Sequence, residues 1–283
     1  MKVSSSKRQN MWVAPQRDWT PFDLPYLIGW NTNRHLQGFS VGDNRVSNWA
    51  DSSQNGNALT SPSDTPSPGA VTERPNIATS SNFGGKQVAV FDASDDKSMI
   101  LNPPPNALDF GLGDFFFASA FRFTGTAESV LCSAQKQSNS NEIRISLQSS
   151  NGVPKFRLGN GGTITGSDNL FDSTTLLVAT RVAGTISLFI NGASVGSLGG
   201  TVMVIGGDEP LRLGAVDLGG GKGVTGQPTG EIAEFIYGGS SSTGVITDFD
   251  RQRLEGYLAH EVGISSVLPT SHPYKYGPPK RAT

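Results

Sequence analysis

Residues 176–198 read LLVATRVAGTISLFINGASVGSL, a stretch divided into three runs by Ala183-Gly184 and Asn191-Gly192. Asn-Gly between two such runs is the strongest short-range indication of a β-hairpin, because both turn positions need a positive φ. The stretch therefore predicts a meander of three antiparallel strands. It also leads us to expect an all-β fold for the rest of the chain.

The period of two that marks a half-buried strand recurs on both sides of this meander. Ile143, Ile145 and Leu147 alternate with polar residues, and the segment 115–123 places phenylalanines on both faces of a strand. Further strands are predicted at 87–91, 98–101, 210–216 and 230–237.

Composition agrees with a chain of many short strands. The 283 residues include 35 Gly and 17 Pro, and only 16% are charged. A chain of this length can bury about three quarters of its unfolded surface, so it can build a core without disulfides. We expect a single all-β domain in which two antiparallel sheets pack as a sandwich.

Charge and hydropathy disfavour several classes of function. The formal net charge of -2 disfavours binding through DNA or RNA phosphates. No apolar stretch approaches the roughly 18 residues of a membrane span. The basic start has no apolar continuation, so we expect no signal peptide. The single Cys132 is compatible with folding in a reducing cytoplasm.

One helix is predicted near the end of the chain. Thr247 fits the N-cap, Asp250 the third helical position, and Gly263 the residue that follows the C-cap. Gly256 lies inside this helix, where glycine costs about 1 kcal/mol relative to alanine. We expect a close approach to the sheet at Gly256.

The segment from Trp49 through Asp51 to Asn55-Gly56-Asn57 resembles the opening motif of laminin-G-like, concanavalin-A-like jelly rolls. Segments 88–92, 189–192, 230–237 and 251–259 fit the same family, and 268–274 resembles the tail of a variant found in bacteriophage virion and bacterial surface proteins. Gln54 departs from the motif, which usually has glycine there, so this loop is expected to be reshaped or longer.

Composition predicts an N-terminal docking arm at 1–20, which is polar, and a Pro-rich tail at 269–283. The resemblance implies an all-β jelly-roll sandwich at 21–268 with one short C-terminal helix. It implies a non-enzymatic bacteriophage virion structural protein that is made in the host cytoplasm, is not secreted, and decorates the head in a homo-oligomeric assembly. Its expected partners are major capsid or tail subunits. The alternatives are a phage tail or fibre part, or a carbohydrate-binding lectin-like module that recognises a host surface glycan. A glycoside hydrolase is the least favoured reading, since the fold hosts all these functions.

Aromatic residues at the two ends of the chain are the candidate docking residues: Trp12, Trp19, Tyr274 and Tyr276. The arm can dock either on its own domain or on a neighbouring subunit, and we favour the neighbour. Trp30 and Trp49 could form a sugar platform, but we favour packing for both.

Acidic residues in loops are candidate calcium ligands, because Ca²⁺ prefers oxygen ligands from loops. They are Asp92, Asp95, Asp96 and Asp208. The alternative is ordinary turn chemistry, in which aspartate side chains cap their own backbone.

The residues offer little for catalysis. Glu231 and Glu234 share a predicted strand, but their spacing of three places them on opposite faces, so they are not expected to act as a glycosidase pair. The histidines that could activate a nucleophile are His35 in a predicted loop, His260 on the helix and His272 in the tail. We therefore expect no enzyme activity and no cofactor other than the candidate calcium ion.

Overall fold

The computed structural model describes residues 17–38, 44–60, 74–95, 98–101, 108, 110–135, 142–159, 162–200, 211–217, 224–242 and 246–281. These residues form an all-β sandwich with one α-helix near the C-terminus, which confirms the predicted fold class. That helix, the only α-helix in these ranges, has 14 residues and is too short and too polar to span a membrane.

Eighteen strands are described. In the first half of the chain they are β1 (Leu27–Gly38), β2 (Val46–Asp51), β3 (Leu59–Thr60), β4 (Asn76–Ser80), β5 (Lys86–Phe91), β6 (Met99–Leu101), β7 (Phe115–Thr124), β8 (Ser129–Gln135) and β9 (Glu142–Leu147). In the second half they are β10 (Pro154–Leu158), β11 (Thr163–Thr165), β12 (Thr175–Val182), β13 (Thr185–Ile190), β14 (Ala193–Leu198), β15 (Arg212–Leu213), β16 (Val216–Asp217), β17 (Val224–Thr225) and β18 (Thr229–Gly239).

Every strand pair is antiparallel, and the main path of neighbours runs β11-β10-β9-β8-β15-β6-β3-β2-β1-β18-β7-β12-β13-β14. The predicted meander is β12-β13-β14, with Asn191 and Gly192 both at positive φ in its second turn. The two ends of the path approach each other, because a Cβ on Gly196 of β14 would lie 3.2 Å from the Ile164 side chain of β11. The sheet thus folds over into two layers.

The first core fills the space between the two layers. It contains Phe156 and Ile145 from one half of the strand path and Phe117, Leu177 and Phe235 from the other. Alternate residues of β7, β12 and β18 point to the opposite face, where they build a second core.

Helix α1 (Asp248–Glu261) covers that second core. Leu254 and Leu258 pack there against Phe116, Val178 and Ile236. The phenylalanine run of β7 therefore serves both cores, since Phe115 and Phe117 point inward between the layers while Phe116 lies under the helix.

Helix α1 begins and ends where the sequence predicts. Thr247 and Asp250 form a reciprocal capping box, and the N–H of Asp250 donates to Thr247 Oγ1 at 3.1 Å. Gly263 follows the C-cap with φ 74°. The prediction that Gly256 approaches the sheet is wrong. A Cβ at this position would lie 2.5 Å from the Tyr274 side chain of the C-terminal tail.

The family-like motif fixes the start of β1. The Asp51 carboxylate accepts hydrogen bonds from the backbone N–H groups of Trp30, Ser53 and Asn57 at 2.9, 2.8 and 2.9 Å. The Asn57 side chain donates to the Ile28 carbonyl at 2.6 Å. The motif is therefore a structural clamp, and by holding the Trp30 backbone it places the Trp30 ring.

Candidate functional site

A cleft of about 540 Å³ opens where β1, helix α1, the segment 18–20 and Pro278 meet. We call it the aromatic cleft and define it by Trp19, Trp30, Thr32, Arg34, His35, Ser52, Tyr257 and Glu261, with Asp18, Thr20, His260 and Pro278 at its edges. Its volume lies in the range typical of sites for small ligands.

Three aromatic rings form the apolar wall of the cleft. The Trp30 and Tyr257 ring centroids are 5.8 Å apart at 80°, and those of Trp19 and Tyr257 are 6.4 Å apart at 69°. Both are edge-to-face arrangements, which contribute about 0.5–1.5 kcal/mol beyond the buried area. Trp19 and Tyr257 are only 2% and 9% exposed, whereas Trp30 is partly exposed. Trp30 is therefore the ring most available to a ligand.

Polar groups also line the cleft. His35 Nδ1 and Ser52 Oγ are 2.6 Å apart and share one hydrogen bond. The Arg34 guanidinium donates to both oxygens of Glu261 at 2.7 and 2.8 Å, and this hydrogen bond and charge raise the pKa of Arg34. The cleft thus combines apolar faces with hydrogen-bonding groups.

Glu234 of β18 lies directly behind the aromatic wall. Its Oε1 accepts hydrogen bonds from Trp30 Nε1 at 2.6 Å and from the Tyr257 hydroxyl at 3.0 Å. The side chain is fully buried, and burial raises the pKa of Glu234 to about 8. Burial also raises the pKa of Tyr257. One carboxyl oxygen therefore links β1, β18 and α1.

The position of Glu234 corrects the prediction that it lies on the face opposite Glu231. In the β18–β7 ladder Glu231 pairs with Arg122 and Glu234 with Ala120, two residues apart on one face of β7. A β-bulge at Ala233 inserts one residue between them and shifts the alternation. Both glutamates thus lie on the helix-facing side of the sheet.

Sharing a face does not make the two glutamates a catalytic pair. Glu231 Oε2 accepts from Ser80 Oγ at 2.8 Å and from Asn82 Nδ2 at 3.1 Å, beside the 3-10 turn Ser81–Phe83. Glu234 is sealed from solvent behind Trp30 and Tyr257. A glycosidase needs both carboxyl groups beside the scissile bond, and a fully buried Glu234 does not reach one.

The histidines fill structural and cleft positions. His35 lies on strand β1, not in the predicted loop, and its bond to Ser52 uses Nδ1. His260 Nε2 contacts the Tyr274 carbonyl at 2.8 Å. His272 Nε2 contacts Glu255 Oε2 at 3.0 Å in the interior. Cys132 is buried, which raises its pKa and disfavours the reactive thiolate.

The predicted docking residues divide into three groups. Trp19 packs into the second core of its own domain, so it does not supply an exposed docking side chain. Tyr274 lies on Gly256 of the helix, and Tyr276 is 83% exposed. Trp12 lies outside the described residues. Docking of the arm and tail on a neighbouring subunit stays a prediction.

Of the candidate calcium ligands only Asp92 has a described side chain, so the calcium site stays a prediction. Asp92 Oδ1 accepts hydrogen bonds from the Ser94 N–H at 3.0 Å and from the Ser94 hydroxyl at 2.8 Å. This is the turn chemistry expected as the alternative to calcium binding. Asp95 belongs to the 3-10 turn Ala93–Asp95, but its side chain, like Asp96 and Asp208, lies outside the described residues. Among described residues no group of three or more His, Cys, Asp or Glu could hold a metal ion.

A second cavity of about 500 Å³ lies between the loop after β11 and the β13–β14 hairpin. Thr165, Ser167, Asp168, Asn191 and Ser194 line its polar side. No aromatic side chain belongs to its described lining. This cavity lacks the flat apolar surface that the aromatic cleft offers.

Sequence reasoning missed most of the aromatic cleft. The sequence pattern favours packing for Trp30, includes Tyr257 only within the family-like segment 251–259, and does not single out Arg34, Ser52 or Glu261. Trp30 and Glu234 are 204 residues apart in sequence, so no local pattern connects them. The sequence does contain one indication of the site, which is the acidic Glu234 within a predicted strand of mainly apolar residues.

Comparisons with known proteins identify the fold. No family model matches the chain, and no curated protein matches it. Among solved structures, domain 4 of AbnA, a GH43 extracellular arabinanase from Geobacillus stearothermophilus, solved with arabinotriose, aligns with a TM-score of 0.53 and 15% identity. The alignment covers 81% of this chain and 98% of that domain.

Weaker likenesses involve two sialidases. The Ruminococcus gnavus IT-sialidase CBM40, bound to alpha2,6 sialyllactose, aligns with a TM-score of 0.40 and 15% identity over 50% of this chain and 82% of that one. A mutant of the NanB sialidase from Streptococcus pneumoniae aligns with a TM-score of 0.44 and 17% identity over 58% of this chain, which spans 27% of the sialidase. The chain has an all-β sandwich fold, which it shares with an arabinanase domain that was solved with arabinotriose.

Proposed function

We propose that this protein is a non-enzymatic carbohydrate-binding β-sandwich and that it binds its glycan in the aromatic cleft. The observation that carries the proposal is the juxtaposition of the partly exposed Trp30 ring with the hydrogen-bonding pair His35–Ser52. Sugars present apolar C–H faces and rings of hydroxyl groups, so they are recognised by aromatic surfaces together with a few convergent polar groups.

The charges around the cleft favour a neutral sugar. The Arg34 cation is neutralised by Glu261, and Lys86 also lies 3.8 Å from that carboxylate. At the edge, Asp18 forms an ion pair with Lys280. Since these described charges are paired, an acidic sugar would have to break an existing ion pair. The structural likeness to the arabinanase domain makes arabinotriose the first ligand to test.

Isothermal titration calorimetry with arabinotriose and a panel of neutral oligosaccharides tests the proposal. Replacing Trp30 with alanine should weaken binding by about tenfold or more, because it removes the apolar surface under the sugar. The matched control is Asp168→Asn in the second cavity, which should leave affinity unchanged. Failure of every oligosaccharide to bind would overturn the proposal, and a loss with Asp168→Asn alone would place binding in the second cavity.

We also propose that the protein has no enzyme activity. The cleft holds the carboxylates of Asp18 and Glu261, and each is paired with a cation. The buried Glu234 is not accessible to a glycosidic bond. We expect no release of reducing sugar from any oligosaccharide that binds. Measurable release that is abolished by Glu261→Gln would contradict this.

A virion role, as head decoration or otherwise as part of the tail or a fibre, is the second candidate, and the observation that favours it is the 83% exposed Tyr276 in the tail. An exposed aromatic side chain of this kind is suited to contact a capsid or tail subunit. Tyr276→Ser should then reduce incorporation into virus particles without changing sugar affinity. Unchanged incorporation would contradict docking through Tyr276.

A further inference from the structure

The Glu234 carboxyl group distributes its hydrogen bonds unevenly. Both donors, Trp30 Nε1 and the Tyr257 hydroxyl, bind Oε1. The second oxygen, Oε2, is buried and has no hydrogen-bond partner among the described residues. A carbonyl oxygen has two lone pairs and accepts two such bonds, whereas an ionised carboxylate needs donors on both oxygens. The protonated form leaves one neutral O–H without an acceptor, whereas the ionised form leaves a charged oxygen without a donor, which costs more. The arrangement therefore favours the protonated carboxyl group.

Few charged groups face this carboxyl group from the neighbouring elements. Arg34 of β1 favours ionisation of Glu234, whereas Glu261 of α1 opposes it. Lys86 of β5 is 3.8 Å from Glu261, so it offsets part of that opposing charge. Burial is the largest influence, and it favours the neutral form. Ionisation would therefore leave a buried negative charge with an unsatisfied oxygen behind the aromatic wall.

The geometry points to Glu234 as a positioning residue for the aromatic cleft: its buried carboxyl group holds the Trp30 and Tyr257 rings in the orientation that binds sugar, and its ionisation draws water to the unsatisfied Oε2, which disturbs the aromatic wall and lowers affinity. This inference rests on the proposed function for its consequence, but the orientation of the rings can be measured without any sugar. The link is possible because the bulge at Ala233 turns Glu234 toward the helix.

A pH titration of the full chain tests the inference. Near-UV circular dichroism and tryptophan emission report the environments of Trp30 and Tyr257, and calorimetry with arabinotriose reports affinity. The wild-type protein should show a one-proton transition near pH 8, with affinity about tenfold weaker above it. Trp30→Phe should remove most of the emission change, which assigns it to that ring.

Two glutamine variants provide a matched pair. Glu234→Gln retains an acceptor oxygen for both donors and does not ionise, so it should keep the low-pH spectrum and affinity and lose the transition. Glu231→Gln lies on the same strand and face but bonds to Ser80 and Asn82, so the transition should remain. A transition that survives in Glu234→Gln overturns the inference.

Tyr257→Phe provides a second test if Glu234→Gln does not fold. It removes one hydrogen bond that lowers the pKa of Glu234, so the midpoint should move to higher pH, and an unchanged midpoint overturns the inference. A spectral transition without sugar binding would refute the proposed function while leaving the positioning role intact. Sugar binding without a transition would refute the positioning role alone.

Discussion

At the scale of single residues, Gln54 shows how a departure from a motif is accommodated. It occupies the position where the similar family usually has glycine, and it adopts φ 69°, the left-handed conformation that glycine adopts freely. The neighbouring Asp51 still accepts hydrogen bonds from Ser53 and Asn57. The loop thus keeps its clamp at the cost of backbone strain.

Relieving that strain should stabilise the protein. Gln54→Gly removes a cost of about 1–2 kcal/mol but loses about 0.5–1 kcal/mol through the greater freedom of the unfolded chain. We expect a net gain of about 0.5 kcal/mol in the free energy of unfolding, measured by urea denaturation. Gln54→Ala is the control, because its Cβ retains the strain. An equal gain in both variants would contradict this account.

Glu234 should make stability depend on pH. Its pKa is about 8 in the folded protein against an ordinary value of 4.5, so the folded state retains a proton that the unfolded state has lost. Stability should be greatest below pH 4.5 as far as this group is concerned, fall between 4.5 and 8, and level off above 8.

Between pH 4.5 and 8, the free energy of unfolding should fall by at most about 1.4 kcal/mol per pH unit. Urea denaturation across this range measures it, with Glu234→Gln compared against the wild type. The difference in unfolding free energy between the two proteins should grow with pH in favour of the glutamine variant. A difference that does not change with pH would contradict burial of an ionisable carboxyl group.

At the scale of elements, helix α1 and the C-terminal tail form one unit. His272 Nε2 contacts Glu255 Oε2 at 3.0 Å, and Arg251 Nη1 donates to both Glu255 oxygens at 2.6 Å. Tyr274 lies across the helix at Gly256. The tail is therefore packed on the helix surface by buried hydrogen bonds and by the space that a glycine leaves.

This arrangement predicts an effect opposite to helix propensity. Gly256→Ala should gain about 1 kcal/mol of helix propensity, but its Cβ would lie 2.5 Å from the Tyr274 side chain, so we expect net destabilisation. Thermal denaturation measures the change. In a Tyr274→Gly background the same change should be stabilising, because the Cβ and ring atoms that cause the clash are removed. Stabilisation by Gly256→Ala alone would show that the tail is not packed on the helix.

At the scale of the whole molecule, the segments 17–23 and 279–281 pair with each other on the domain. The Trp19 N–H donates to the Pro279 carbonyl at 3.0 Å, and the Arg281 N–H donates to the Arg17 carbonyl at 3.0 Å. Ion pairs join Asp18 to Lys280 and Asp23 to Arg281. This pairing closes one side of the aromatic cleft, because Trp19 and Pro278 both line it.

Removing the last residues should therefore disturb the cleft. A truncation after Gly277 deletes Pro278 and the tail groups that pair with residues 17–23, so Trp19 should become more accessible to acrylamide quenching. We expect a loss of about 1–3 kcal/mol in unfolding free energy, the scale of a few hydrogen bonds. Lys280→Ala, which removes one exposed ion pair, should cost about 0–1 kcal/mol. An unaltered quenching profile after truncation would contradict the observed pairing.

The sequence by itself determined the fold class, the β12–β14 meander and helix α1, because alternation, an Asn-Gly turn and a capping box act between residues that are near each other in the chain. Only the tertiary structure decided the aromatic cleft, which joins the segment 18–20 and Pro278 to β1 and α1. The bulge at Ala233 likewise depends on pairing with β7, so spacing alone placed Glu234 on the wrong face. Local patterns fix which face of an isolated element is apolar, whereas the partner strand fixes the register and therefore which polar side chains are buried together.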